Sequence, residues 1–170
     1  MQVPSDIVSA TEPDRPNDML DAALIADRRG LRAWHAFLRA HASLMRSLAA
    51  DLADRTGLTL GDFDVLAQLS LGGGELRMTD LATRAYSSRS GMTRRVDRLV
   101  TEGLVVRSGS GADARSVVVA LSDAGRARLA ATFPIHLEEV VRLFVDPLDD
   151  EELLAVERAM RKVAVDCSFG

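Results

Sequence analysis

From Leu31 onward apolar positions recur in steps of three and four: Leu31, Trp34, Leu38, His41, Met45, Leu48 and Leu52, with Phe37 and Leu44 widening the stripe. That spacing predicts one long amphipathic helix ending near Gly57. Thr59 and Asp62 then have the spacing of a capping box, Leu58 and Phe63 that of a hydrophobic staple, and Phe63, Leu66 and Leu69 carry a second helix up to Gly72, Gly73 and Gly74. A third, short helix is predicted from Thr79 to about Tyr86. Ser88 is a good N-cap for a fourth from Arg89 to about Glu102, with Gly103 placed to close it.

The period then changes. Leu104 to Arg107 and Ser116 to Leu121 are rich in strand-forming residues and flank Gly109, Ser110, Gly111, Ala112 and Asp113, so they predict a two-stranded hairpin with a long tip. Ser122 caps a fifth helix running toward Val145, with a kink or break expected at Pro134 because proline lacks the N–H and clashes with the preceding turn. Past Pro147, Asp149 and Glu152 match a second capping box, and Leu153, Val156, Met160, Val163 and Cys167 line one face of a sixth helix. Residues 1–28 hold three of the five prolines and six acids against two arginines, which predicts a flexible N-terminal arm.

Composition narrows the class. With 47% hydrophobic and 27% charged residues the 170-residue chain suits one globular domain whose core must rely on Leu, Val, Ala and Met, because only 4% is aromatic. No apolar run approaches the ~20 residues of a membrane span or forms a secretion signal, so a soluble cytoplasmic protein with no membrane partner is expected. The lone Cys167 excludes an intramolecular disulfide and a multi-cysteine zinc site. The net charge of −4 hides an asymmetry: residues 77–115 carry eight arginines and four acids, hence +4, against −8 elsewhere. A local basic patch of this kind suits phosphate binding whatever the total.

The patch centres on the fourth helix. Met92, Val96, Leu99 and Gly103 share a face suited to packing, while Ser90, Arg94, Asp97, Arg98 and Thr101 project oppositely, with Thr93 on the flank. Short hydroxyls near a helix N-terminus, with arginine able to reach guanine O6 and N7, suit a helix in the major groove, and the free N–H groups beside Ser88 and Arg89 favour phosphate. A polar helix face is more often merely solvated; what sets this one apart is its paucity of acids, the short helix and tight turn before it and the glycine-tipped hairpin after it.

Within residues 76–129 the run Ser88, Ser90, Thr93, Arg94, Val96, Asp97, Arg98, Leu99, Gly103, Leu104, Val105 and Arg107 resembles the MarR family of regulators. So do Asp113 and Arg115, followed by Leu121, Ser122 and Gly125. The resemblance implies a mainly α fold with a small β-hairpin wing: a winged helix-turn-helix DNA-binding lobe over 58–121 and a helical dimerisation region over 29–57 and 122–170. It implies a homodimeric transcription regulator, a repressor rather than an enzyme, on a pseudo-palindromic double-stranded DNA operator, released by a small effector. Carried over by residue, Ser90, Thr93 and Arg94 would meet bases or nearby phosphates, Arg98 would contact a phosphate, and Arg115 would enter the minor groove from the wing. Where many relatives have a second basic residue beside that arginine, this chain has Ala114.

Other chemistry is thin. Trp34, His41, Phe63 and His136 are candidates for an effector pocket taking a small aromatic or acidic compound, against the equal claim that they are core or interface residues. Metal binding by His35, His41 and His136 lacks ligand spacing, and Cys167 continues an apolar stripe, so its reading as a small hydrophobe outweighs a redox switch. No nucleophile elbow, phosphate-binding glycine loop or HExxH is present, and no cofactor is called for. A winged helix used for protein contact is the remaining rival.

Overall fold

A computed structural model of the chain describes residues 28–109 and 117–166. The predicted arm apart from Arg28, the hairpin tip from Ser110 to Asp113, Ala114, Arg115 and Cys167 lie outside the described residues. The elements run α1 (Arg28–Thr56), α2 (Leu60–Leu71), β1 (Glu75–Arg77), α3 (Met78–Arg84), α4 (Arg89–Thr101), β2 (Val105–Ser108), β3 (Val118–Leu121), α5 (Asp123–Val140) and α6 (Asp150–Asp166). The fold is mainly helical, with a small antiparallel sheet. The chain divides within α1 into two compact units, one ending at Ser43 and the other beginning at Leu44.

Helix starts follow the side chains that satisfy their free N–H groups. The Asp62 amide donates to Thr59 Oγ1 at 3.2 Å, the Gly91 amide to Ser88 Oγ at 3.2 Å, and the Gly125 amide to Ser122 Oγ at 2.9 Å. At α6 the box is reciprocal, with the Glu152 amide donating to Asp149 Oδ1 at 2.8 Å and the Asp149 amide to Glu152 Oε2 at 3.1 Å.

In the second unit the core collects Leu66 and Leu69 of α2, Leu81 of α3, Met92, Val96 and Leu99 of α4, Val105 and Val119 of the sheet and Leu129 of α5. The inward face expected for α4 is therefore its buried face. The predicted hairpin is present as β2 and β3, with Val105 opposite Leu121 and Ser108 opposite Val118. A third strand was not foreseen: β1 pairs with the other edge of β3, Leu76 opposite Val119, giving the order β1-β3-β2. At three residues it is too short for a period to show in the sequence.

Near the end of the chain the structure departs from expectation. Helix α5 runs unbroken through Pro134. Pro134 and Ala130 both lie on its exposed side, where water can serve the carbonyl that the missing N–H leaves unpaired. The irregularity comes later, where Val141–Val145 winds as a π-helix. From within it Arg142 Nε donates to Oε2 of the buried Glu139 at 2.9 Å, and Arg55 of α1 pairs with Glu138 at 2.9 Å.

Candidate nucleic-acid interface

Burial of Met92, Val96 and Leu99 fixes which way α4 faces, and its remaining side chains divide by what they touch. Thr93 Oγ1 donates to the Arg89 carbonyl at 3.0 Å, and Thr101 Oγ1 to the Asp97 carbonyl at 2.9 Å, so both hydroxyls already serve their own helix. Ser88 Oγ accepts the capping bond and lies 3.4 Å from Ser90 Oγ. Arg107 on β2 donates to Asp97 Oδ1 at 3.0 Å, which ties the strand to the helix and neutralises the acid on its outer face. The Arg95 guanidinium lies across Gly61 of α2, where even a Cβ would collide with it at 2.7 Å.

Arg98 is committed inward. Its Nη2 donates to Oδ1 of Asp62, whose side chain is only 4% exposed, while that of Arg98 is 48% exposed. The same carboxylate accepts from Thr59 Oγ1 at 2.6 Å. Asp62 thus holds the Thr59 cap of α2 and braces α4 at once, and its hydrogen bond holds the Arg98 guanidinium above its ordinary pKa. The phosphate role expected for Arg98 therefore competes with a structural one. Arg89 and Arg94 are exposed and have no ion pair with any described residue, so theirs are the open cations on this helix. Arg115 lies outside the described residues.

A concavity of about 450 Å³ opens among α1, α2, α5 and the π-helical turn. Its walls are apolar: Leu44, Met45, Leu48, Leu60, Phe63, Val140 and Phe144, with Asp64 and His136 as polar members. The Phe63 and His136 rings sit 4.5 Å apart. His136 Nδ1 is buried with no hydrogen-bond partner among the described residues, and burial lowers the pKa of the ring, which is therefore neutral at pH 7. Of the four expected pocket residues, Phe63 and His136 are brought together. Trp34 and His41 are not among the walls. They stack on either side of Phe37, at 5.8 and 6.0 Å, in the N-terminal unit.

The sequence profile of the MarR family matches residues 56–116, from the end of α1 to just before β3. An uncharacterised HTH-type transcriptional regulator of Bacillus cereus is 30% identical over 116 residues, which is 68% of this chain and 76% of that protein. The chain belongs to the MarR family. Among solved MarR structures, AbsC from Streptomyces coelicolor superposes with a TM-score of 0.72 at 30% identity, over 80% of this chain and 92% of that one. Sco3205 from the same organism, a MarR regulator crystallised in complex with DNA, gives 0.75 at 28% identity, over 82% and 92%. This MarR protein is thus a DNA-binding transcriptional regulator with the winged-helix fold, from a family of regulators rather than enzymes.

Sequence reasoning missed the Asp62–Arg98 brace, because Asp62 was legible only as a cap. It also missed Leu44, Leu60, Asp64, Val140 and Phe144 as walls of the cleft, since each reads singly as an ordinary amphipathic position. No described helix is long and apolar enough to cross a membrane.

Proposed function

We propose that this MarR protein is a cytoplasmic repressor that binds a pseudo-palindromic operator as a homodimer, with α4 in the major groove and a small effector to release it. The observation that carries the reading is the selective freedom of Arg89 and Arg94: Asp62 holds Arg98, Asp97 holds Arg107, and these two remain available on the outer face of α4. Arg94, mid-helix beside Ser90 and Thr93, reads bases; Arg89 and Ser88, at the N-terminal end, meet phosphate; Arg115 serves the minor groove from the wing. Residues 58–121 form the DNA-binding lobe, and residues 29–57 and 122–170 the dimerisation region.

Dimerisation accounts for apolar side chains that the single chain leaves in water: Trp34, Phe37 and Leu38 on α1, and Leu154, Met160 and Val163 on α6. Light scattering at low micromolar concentration should give about twice 18.4 kDa. A monomer would remove the basis for two half-sites about 34 Å apart.

Binding is tested with duplexes selected by the protein from a random library, titrated across a salt series. Arg94→Ala should cost about 1–3 kcal/mol and relax sequence preference, whereas Arg89→Ala and Arg115→Ala should weaken all sequences evenly and lower the salt slope by about one unit. Equal, sequence-blind losses would refute base reading by Arg94.

The cleft beside His136 is the effector site in this reading. Among the described residues its one charged wall is Asp64, and its histidine is neutral, so it favours an uncharged or cationic aromatic compound over an acidic one. Neutral phenols should lower DNA affinity where benzoates do not, and Leu48→Trp, which fills the space, should abolish the response. Equal responses to both compound classes, or a response that survives Leu48→Trp, would refute the assignment.

A further inference from the structure

Helices in this chain close on glycine where the backbone turns left-handed. Gly57 follows α1 at φ +71°, Gly73 follows α2 at φ +87°, and Gly103 follows α4 at φ +71°. Glycine suits these places because it has no Cβ to meet the neighbouring carbonyl. Helix α3 closes the same way but on Tyr86, at φ +46°, the one non-glycine residue with a positive φ among the described residues.

The hydrogen bonds confirm the equivalence. The Tyr86 amide donates to the Thr83 carbonyl at 3.1 Å and the Ser87 amide to the Ala82 carbonyl at 3.0 Å. At the end of α4 the Gly103 amide donates to Val100 at 3.0 Å and the Leu104 amide to Leu99 at 2.9 Å, the same paired closure. The backbone thus asks for a left-handed residue at position 86, and a bulky aromatic is among the worst suited to supply one. Packing does not explain the choice. Tyr86 is 91% exposed and makes no ring contact or side-chain hydrogen bond with any described residue. Strain held at a fully solvated aromatic points to a role outside the free protein.

Its position suggests which. Tyr86 sits in the turn between α3 and α4, two residues before the Ser88 cap, flanked along the chain by the exposed Arg84 and Arg89, neither paired to a described residue. We infer that Tyr86 is a DNA-contacting residue: its phenol donates to a phosphate oxygen at the lip of the major groove, and its ring covers the adjoining sugar. The assignment rests on α4 being the groove helix. A neutral donor adds affinity there without releasing a counterion, unlike the arginines beside it.

The test uses the full-length protein, a duplex that it selects from a random library, and measurements at 25 °C. Tyr86→Gly should melt a few degrees higher, because glycine relieves the strain, yet bind the duplex about tenfold more weakly, as for loss of a charge-assisted hydrogen bond. Tyr86→Phe should keep the melting temperature and lose most of the same affinity. Neither should change the slope of log affinity against log salt, whereas Arg89→Ala should lower it by about one. Tyr86→Gly binding as tightly as the unmodified protein would overturn the inference. So would Tyr86→Gly melting lower, which would make the residue structural, and unchanged binding by Tyr86→Phe would overturn the hydroxyl contact. If the unmodified protein retains no duplex, the DNA reading itself fails and takes Tyr86 with it. If Arg94→Ala loses affinity and Tyr86→Gly does not, the tyrosine assignment alone falls.

Discussion

Arg98→Ala removes the cation facing Asp62, whose carboxylate then keeps one described partner, the Thr59 hydroxyl at 2.6 Å. Breaking an ion pair buried on both sides costs about 3–5 kcal/mol, because a charge is stranded away from water. Here the arginine is 48% exposed, so water enters once the guanidinium has gone, and about 2–3 kcal/mol is expected, the range for a charge-assisted hydrogen bond. In a chain of this size that lowers the melting temperature by about 5–10 °C. Adding Asp62→Asn removes the stranded charge while keeping the shape, so the double variant should recover about 1–2 kcal/mol relative to additive losses. Calorimetric melts of the four proteins in the cycle measure this. The same variants titrated with DNA across a salt series measure the other role: a true phosphate contact carries about 0.9 of the salt slope, and an arginine already neutralised by Asp62 should carry about 0.3 or less. An Arg98→Ala protein that melts normally but loses nearly a full unit of slope would refute the brace and restore the phosphate contact.

Gly125 is a position where any side chain must collide. A Cβ there would stand 1.9 Å from the Leu104 carbonyl oxygen, so Gly125→Ala should cost about 3 kcal/mol or more in urea unfolding, at or beyond the upper end of overpacking; a loss under 1 kcal/mol would show that the α5–wing contact is loose. His136 has its pKa lowered by burial, so the unfolded chain takes up this proton first. Stability should therefore be highest above pH 6.5 and fall as the pH drops from there through the lowered native value. His136→Gln should flatten melting temperature between pH 7 and 5, and an unchanged profile would exclude His136 as the source. Glu139 has its pKa lowered first by its hydrogen bond to Arg142. Its contribution is present above the ordinary glutamate value and lost below it, so Glu139→Gln should remove part of the stability loss seen below about pH 4.5.

What the sequence by itself determined was local. Ser88, Ser122, the Thr59–Asp62 pair and the Asp149–Glu152 pair start helices where their spacing predicts, because a cap joins groups three residues apart and needs nothing else. The inward face of α4 followed from Met92, Val96 and Leu99 at helical spacing. The family resemblance lay in the same stretch, since its residues are close together in the chain. Tertiary structure decided whatever joins distant segments. Glu75–Arg77 became a strand only because β3, more than forty residues on, presents an open edge. Pro134 was tolerated because its side of α5 is wet. Trp34 and His41 share a stripe with Met45 and Leu48, yet the α1 walls of the cleft are Leu44, Met45 and Leu48: helical spacing says which residues share a face, not which of them a cleft takes as walls. Most of all, eight arginines look alike in a sequence. Which of them remain free to meet DNA depends on where Asp62 and Asp97 come to rest, 36 residues from Arg98 and ten from Arg107. The period of a helix says which way a side chain points, but only packing says what waits there.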